Sequence, residues 1–260
     1  MKTKTIVFIH GMFMTPLCWE HFQRRYEERG YRCVAPAWPG DERPVDQLRA
    51  DPVPGFGRVG VAEIVHHYEV LVAGLPEPPI LVGHSFGGLF VQMLLDRGLG
   101  TVGVAIDPAP PRGVLPGPTA FRSSFFVVKT WRAWKKVLTM PFEAFRFGFV
   151  NTLPDDEQRA LYDRYVVPTP GRVFIQDALG SGTRVDFRRP DRAPLLMIAG
   201  GSDNTVEPSM VRRSHDRYSG SPARTDFFEF PDRPHLLIAT PGWEQVADHA
   251  IEWAESRLGE

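Results

Sequence analysis

The sequence has little of what defines several large classes of protein. Its only cysteines, Cys18 and Cys33, lack metal-ligand spacing and are too few for a disulfide framework. No stretch approaches the roughly 20 apolar residues of a membrane-spanning helix. The early apolar run from Ile6 to Ile9 is also too short for the core of a signal peptide. We therefore expect a soluble, cytoplasmic protein with no stable membrane insertion.

An excess of charge of either sign is also absent. The formal net charge is −1, so no long-range field favours nucleic acid or an acidic polymer as a partner. Internal repeats and low-complexity tracts are lacking too. The 260 residues are 43% hydrophobic, which is enough for a full core. The composition therefore predicts one domain, with room for an insertion.

The sequence does contain short apolar, β-branched runs that alternate with helical patterns. Runs without polar alternation are typical of strands covered on both faces. The predicted strands are Thr5 to Ile9, Arg32 to Ala35, Pro79 to Val82, Thr101 to Ile106, Leu195 to Ala199 and Asp226 to Phe230. The predicted helices between and after them are Trp19 to Arg29, Val61 to Leu75, Phe86 to Arg97 and Gly242 to Leu258. This alternation predicts an α/β fold with a doubly wound, mostly parallel sheet of about six strands.

A long interval without a clear strand separates Ile106 from Leu195. A structureless loop of that length inside a compact domain would be anomalous. We therefore expect residues 112–190 to form an inserted helical lid. Residues 1–111 and 191–260 would then form the core.

The strongest chemical motif is Gly-His-Ser-Phe-Gly at residues 83–87, which follows a predicted strand and precedes a predicted helix. This is the Gly-x-Ser-x-Gly nucleophile elbow in the context that it requires. Ser85 is therefore the predicted nucleophile. An ordinary glycine-rich turn with a capping serine is the simpler alternative.

A serine hydroxyl needs a base that is itself oriented by an acid, and in elbow enzymes the chain order is serine, acid, histidine. His235 lies between the last predicted strand and the last helix, which makes it the predicted base. Asp203 follows the strand Leu195 to Ala199 and is the predicted acid. Asp107 is the runner-up for the acid, although we expect it to bind turn amides instead.

The tetrahedral intermediate of acyl transfer needs two N–H donors. Phe86, the residue after the nucleophile, is predicted to supply one backbone N–H, and Met12 in the loop after the first strand the other. A simple strand-ending turn at His10 and Gly11 is the alternative. The scheme requires no metal and no cofactor.

Together these motifs resemble the α/β-hydrolase superfamily, over essentially the whole chain. The resemblance extends to its lid-bearing serine hydrolases, which include carboxylesterases, lactonases, carbon-carbon bond hydrolases and cofactor-free haloperoxidases. Ser85 argues against relatives that use an aspartate nucleophile, such as dehalogenases and epoxide hydrolases. The loop Gly11-Met12-Phe13-Met14 differs from the Gly-Gly-Pro-Gly loop of proline iminopeptidases.

The predicted lid is rich in aromatic residues, some of which are expected to line an apolar substrate site. The lid residues selected for that role are Phe125, Trp131 and Phe145, together with Phe13 in the loop after the first strand. Residues Thr119 to Leu138 are expected to place four basic side chains, Arg122, Lys129, Arg132 and Lys136, near one helical face. An apolar stripe of Val127, Trp131, Trp134 and Leu138 would accompany them. This face either attracts an anionic substrate or lipid surface or is simply solvated.

The sequence therefore predicts a serine hydrolase that cleaves a small apolar or aromatic carboxylic ester through an acyl-enzyme intermediate. The same triad also serves carbon-carbon bond hydrolases, lactonases and perhydrolases, and a non-catalytic small-molecule receptor can share the scaffold. These alternatives stay open at this point, as does the oligomeric state.

Overall fold

The computed structural model describes residues 3–259, and its centre is a six-stranded sheet in which every neighbouring pair is parallel. The strands are β1 (Thr5–Ile9), β2 (Arg32–Val34), β3 (Ile80–His84), β4 (Val102–Ile106), β7 (Leu195–Gly200) and β8 (Thr225–Phe230). Their order across the sheet is β2-β1-β3-β4-β7-β8. The predicted α/β class and parallel six-stranded sheet are confirmed, with strand ends shifted by one or two residues.

Burial explains why these strands could be found from sequence. Every residue of β1, β3, β4 and β7 is buried, so their apolar side chains lie on both faces of the sheet. The edge strands β2 and β8 are only partly buried, which fits their more polar sequences.

Helices cover both faces of this sheet, as a doubly wound fold requires. They are α1 (Glu20–Glu28), α2 (Val45–Ala50), α3 (Val61–Ala73), α4 (Phe86–Leu95), α9 (Pro208–Asp216) and α10 (Trp243–Arg257). All ten residues of α4 are buried, so the helix that starts at the elbow lies in the core. No helix within residues 3–259 is both long enough and apolar enough to cross a membrane.

The segment between β4 and β7 carries four helices and a small second sheet. The helices are α5 (Pro118–Val128), α6 (Phe142–Gly148), α7 (Asp155–Tyr165) and α8 (Gly171–Ala178). The two antiparallel strands, β5 (Val137–Leu138) and β6 (Thr169–Pro170), were not expected from the sequence. Two residues are too few to show alternation, and β6 includes a proline, so neither strand leaves a readable pattern.

The prediction of one helical face over residues 119–138 is wrong. Helix α5 ends at Val128, and Arg132 adopts a left-handed conformation with a φ of 56°. A short 3-10 turn (Ala133–Lys135) and then β5 follow it. Val127 and Leu138 are buried, whereas Trp131 and Trp134 are exposed, so the four side chains do not form one apolar stripe.

Candidate active site

Ser85 lies at the tip of a sharp turn between β3 and α4. Its φ of 56° and ψ of −120° are strained for a residue with a side chain, and its N–H donates to the carbonyl of Ile106 at 2.9 Å. The flanking glycines permit this turn, because a Cβ on Gly87 would overlap the carbonyl of Ile9 and a Cβ on Gly83 the carbonyl of Gly87. The local geometry is that of a nucleophile elbow.

His235 and Asp203 are brought together by loops that follow β8 and β7. His235 Nδ1 lies 2.6 Å from Asp203 Oδ2, and both side chains are completely buried. The other carboxylate oxygen, Oδ1, accepts the backbone N–H groups of Thr205 at 2.6 Å and Val206 at 2.8 Å. These two amides fix the carboxylate, so that Oδ2 faces the imidazole.

Burial also sets the protonation of this pair. It lowers the pKa of His235 to about 3, so the imidazole is neutral at neutral pH. It raises the pKa of Asp203, while the two amides on Oδ1 oppose this effect. With the Nδ1 proton directed at Asp203, Nε2 is the nitrogen that can accept a proton. Within residues 3–259 no hydrogen bond joins Nε2 to a protein group.

Asp107, the alternative acid, lies farther from the same imidazole nitrogen, Nδ1. Its Oδ1 accepts the N–H of Gly200 at 2.6 Å, and its Oδ2 is 4.0 Å from His235 Nδ1. Burial and the neighbouring Asp203 raise its pKa well above the usual range, which favours the protonated form of this carboxyl. Asp203 is therefore the acid in hydrogen-bonding contact with the histidine, and Asp107 binds a turn amide.

Two further residues hold His235 in place, and sequence reasoning did not select them for the site. His84 Nε2 donates to the backbone carbonyl of His235 at 2.7 Å. The Phe149 ring forms a T-shaped contact with the His235 imidazole, with centroids 4.6 Å apart and planes at 80°. The Phe149 carbonyl also accepts the N–H of Leu236 at 2.9 Å. The only sequence signal for Phe149 is its four-residue spacing from Phe145 in an aromatic-rich segment.

The loop after β1 runs directly beside Ser85. A Cβ on Gly11 would lie 2.8 Å from Ser85 Cβ, so only glycine permits this approach. The neighbouring His10 is buried, and burial lowers its pKa to about 4. Its neutral ring donates from Nδ1 to the Gly11 carbonyl at 3.0 Å and accepts the Trp38 N–H at Nε2, at 3.2 Å. His10 therefore fixes the loop that carries Met12.

Both predicted oxyanion donors belong to buried residues. The backbone N–H groups of Met12 and Phe86 donate to no protein acceptor in the described part of the chain. The next amide, that of Phe13, is already used by the Thr169 hydroxyl at 2.8 Å. Phe13 also has a positive φ of 63°, which turns the chain sharply after Met12.

The segment between β4 and β7 is hydrogen-bonded to all three loops that carry these groups. Its contacts with the Asp203 loop join Ser123 to Thr205 at 2.9 Å, Asn151 to Ser202 at 3.0 Å and Phe147 to Asn204 at 3.0 Å. Phe149 contacts the His235 loop, and Val167 and Thr169 bind the backbone of Phe13. The inserted segment is therefore anchored to all three of these loops.

The four aromatic residues selected for substrate binding lie in different places. Phe13 is buried against Phe126, with ring centroids 5.6 Å apart, and Phe145 is buried against Phe149. Phe125 lines a cavity of about 540 Å³ between α5 and α6. Trp131 instead lies on the outer surface with 78% of its area exposed, because α5 ends before reaching it.

A metal site was not predicted, but three buried donors approach one another here. His84, Asp107 and His235 offer ligand atoms within 4.8 Å of each other. Each imidazole already uses one nitrogen, His84 for the His235 carbonyl and His235 for Asp203. Three donors are also one fewer than a closed structural zinc site uses. The arrangement fits these two hydrogen bonds better than a metal cage.

Comparison with solved structures gives the same architecture at low sequence identity. An extracellular alpha/beta-hydrolase from a Paenibacillus species is 17% identical, with a TM-score of 0.70, covering 95% of this chain and 98% of that one. A methylesterase from Arabidopsis is 16% identical, with a TM-score of 0.67 and coverage of 96% and 98%. An esterase from Thermogutta terrifontis is 15% identical, with a TM-score of 0.71 and coverage of 99% and 91%.

A search of the curated proteins finds no match. The family comparison is decisive, since the sequence profile described as "Alpha/beta hydrolase family" matches residues 6–249, nearly the whole chain. The protein therefore belongs to the alpha/beta hydrolase family.

Proposed function

We propose that this protein is a serine esterase, which hydrolyses small to medium apolar or aromatic carboxylic esters through an acyl-enzyme intermediate. In this proposal Ser85 is the nucleophile, His235 the general base and Asp203 the acid that orients it. The backbone N–H groups of Met12 and Phe86 form the oxyanion hole. Residues 112–190 act as a lid over the site.

One observation carries the proposal: Nδ1 of the completely buried His235 lies 2.6 Å from the carboxylate of Asp203. The loop that carries His235 is bound in turn by His84, the residue before Ser85 in the elbow. A carboxylate fixed by two amides and bonded to Nδ1 selects the tautomer in which Nε2 accepts a proton. Ser85 sits in a strained turn that a structural serine has no need of.

The proposed reaction begins when Ser85 Oγ attacks the ester carbonyl carbon and transfers its proton to His235 Nε2. The carbonyl oxygen takes up the electron pair and is stabilised by the Met12 and Phe86 amides, each donor contributing about 3 kcal/mol. Asp203 stabilises the resulting imidazolium. The imidazolium then protonates the leaving alcohol, and water repeats the sequence to release the acid and restore Ser85.

The proposed substrate class is supported by the aromatic rings near these groups. Phe13 and Phe149 are buried beside the proposed oxyanion loop and base, and Phe126 packs against Phe13. Such rings favour an apolar acyl or aromatic group over a charged one. Two of the solved structures of similar fold are described as a methylesterase and an esterase, which supports an ester as the scissile group.

The test is a panel of substrates measured with the wild type and with Ser85→Ala. The panel contains nitrophenyl esters of increasing chain length, methyl esters of aromatic acids, simple lactones and a carbon-carbon substrate such as a β-diketone. We expect turnover of the apolar and aromatic esters by the wild type and none by Ser85→Ala. Turnover only of lactones or diketones, equal turnover by both proteins, or tight binding of esters without turnover would each contradict the proposal.

A further inference from the structure

The outer surface of α5 and of the turn after it is unusually apolar for an exposed surface. Nine large hydrophobic side chains are exposed in the described residues, and five of them lie between positions 121 and 134. These five are Phe121, Phe125, Val128, Trp131 and Trp134. Five basic side chains are exposed among and just after them: Arg122, Lys129, Arg132, Lys135 and Lys136. We call these ten residues the basic aromatic face.

The local backbone explains how so many apolar groups reach the surface. Phe121, Phe125 and Val128 follow one another at spacings of four and three, so they share the outer side of α5. The inner side of the helix is formed by buried residues that include Ser123 and Val127. Beyond the helix end, the left-handed turn at Arg132 leaves Trp131 78% and Trp134 44% exposed.

The charge of this face is of one sign. Residues 108–142 contain no aspartate, glutamate or histidine. Within residues 3–259, none of the five basic side chains forms an ion pair with a carboxylate. Arg122 lies instead over the ring of Phe147, 3.9 Å from its centroid. Elsewhere on the surface arginines are paired, for example Arg25 with Asp248 and Arg164 with Glu20.

A face that combines exposed tryptophan and phenylalanine with unpaired lysine and arginine has a specific chemical complement. Indole and phenyl rings partition into the region between headgroups and acyl chains, and basic side chains bind the phosphate of anionic lipids. Each basic side chain near such a surface adds about 1 kcal/mol of attraction. A second copy of the chain fits less well, because self-pairing across a twofold axis would oppose two basic surfaces.

We propose that the basic aromatic face docks the protein on the surface of an anionic phospholipid bilayer. Docking uses only the outer side of the inserted segment and needs neither the triad nor turnover. It would place the cavity between α5 and α6, whose wall includes Phe125 and Lys129, next to the lipid. Since Phe126 on α5 packs on Phe13 beside the candidate site, the docked surface and the site share one helix.

The test is cosedimentation of the full-length protein with vesicles of equimolar phosphatidylcholine and phosphatidylglycerol, compared with vesicles of phosphatidylcholine alone. Two double variants change the face. Lys129→Glu with Arg132→Glu reverses two charges, and Trp131→Ser with Trp134→Ser removes two exposed aromatic rings. Matched controls away from this face are Arg24→Glu with Arg32→Glu, and Val70→Ser; all three of these side chains are exposed. The thermal unfolding midpoint of every variant checks that it is folded.

We expect the wild type and Ser85→Ala to bind the anionic vesicles equally, with weaker binding at high salt and little binding to phosphatidylcholine alone. Each double variant of the face should lower the partition coefficient about tenfold or more, and the controls should not. Equal binding by folded face variants and wild type would overturn the proposal. An absence of binding to anionic vesicles would also overturn it. So would a dimer, detected by light scattering, that dissociates in the double variant Trp131→Ser with Trp134→Ser. Because Ser85→Ala is included, failure of the esterase proposal would leave this result unaffected.

Discussion

His84 Nε2 donates a hydrogen bond to the backbone carbonyl oxygen of His235 at 2.7 Å. The variable residue of the elbow therefore holds the loop that carries the proposed base. Both side chains are completely buried, and their ring centroids are 4.7 Å apart. Burial and the neighbouring His235 lower the pKa of His84, so His84 stays neutral and keeps its single donated proton on Nε2. We regard His84 as a positioning residue.

Replacement of His84 by leucine is expected to lower kcat about tenfold, because the loss of one buried hydrogen bond frees the His235 loop. His84→Gln retains an N–H donor and should lose less. Steady-state kinetics on a nitrophenyl ester measures both. An unchanged kcat in folded His84→Leu would show that the bond does not position the base.

The two acids beside His235 should differ strongly in their effect on turnover. Asp203→Asn removes the charge that faces Nδ1 and is expected to lower kcat about a thousandfold or more. Asp107→Asn resembles the protonated form of Asp107, can still accept the Gly200 amide, and should lower kcat less than about tenfold. Equal losses in the two variants would show that Asp107 shares the role of the acid.

A substitution at Gly11 tests the approach of the loop after β1 to the proposed nucleophile, Ser85. The Cβ of Gly11→Ala would lie 2.8 Å from Ser85 Cβ, so the loop and its Met12 amide must move. We expect kcat to fall about a hundredfold, comparable to the loss of one oxyanion donor. Gly74→Ala is the matched control, since its Cβ would have no neighbour closer than 3.4 Å. Full activity in folded Gly11→Ala would contradict an oxyanion role for this loop.

Asp41 should make stability depend on pH. Both oxygens of its buried carboxyl lack hydrogen-bond partners in the described chain, and burial raises its pKa to about 8. The carboxyl of Asp41 therefore has a higher pKa in the folded protein than in the unfolded chain, so it stays protonated to a higher pH when the protein is folded. The resulting stabilisation is present in acid and is lost as pH rises from roughly 4 to 8, at up to about 1.4 kcal/mol per pH unit.

Asp41→Asn carries no titrating proton, so its advantage in free energy of unfolding over the wild type should grow across that range. Urea denaturation at several pH values measures the difference. Asp51→Asn, with an exposed carboxylate, is the control and should show little change. An advantage that shrinks as pH rises would contradict a protonated Asp41 in the folded state.

The core of the fold was predictable because its signals are local and strong. Strands β1, β3, β4 and β7 are buried on both faces and hence read as unbroken apolar runs. The elbow is equally local, since the strand, the two glycines and the helix are consecutive in sequence. The resemblance to the α/β-hydrolase superfamily is confirmed by the family match.

The features that could not be predicted depend on contacts between residues that are distant in sequence. Nothing near Phe149 in sequence indicates that its ring meets His235, and the two-residue strands β5 and β6 leave no period to read. The end of α5 at Val128 was missed because residues up to 138 continue a helix-like pattern. Trp131 was therefore assigned to the pocket, whereas the structure places it on the basic aromatic face.

The most direct test of the esterase account is covalent labelling with a fluorophosphonate, followed by intact-mass measurement and peptide mapping. We predict one phosphonyl group per wild-type chain, on Ser85, and none on Ser85→Ala. His235→Ala should label far more slowly, because the hydroxyl then has no base. Labelling retained by Ser85→Ala, or no labelling of a folded wild type, would contradict the account.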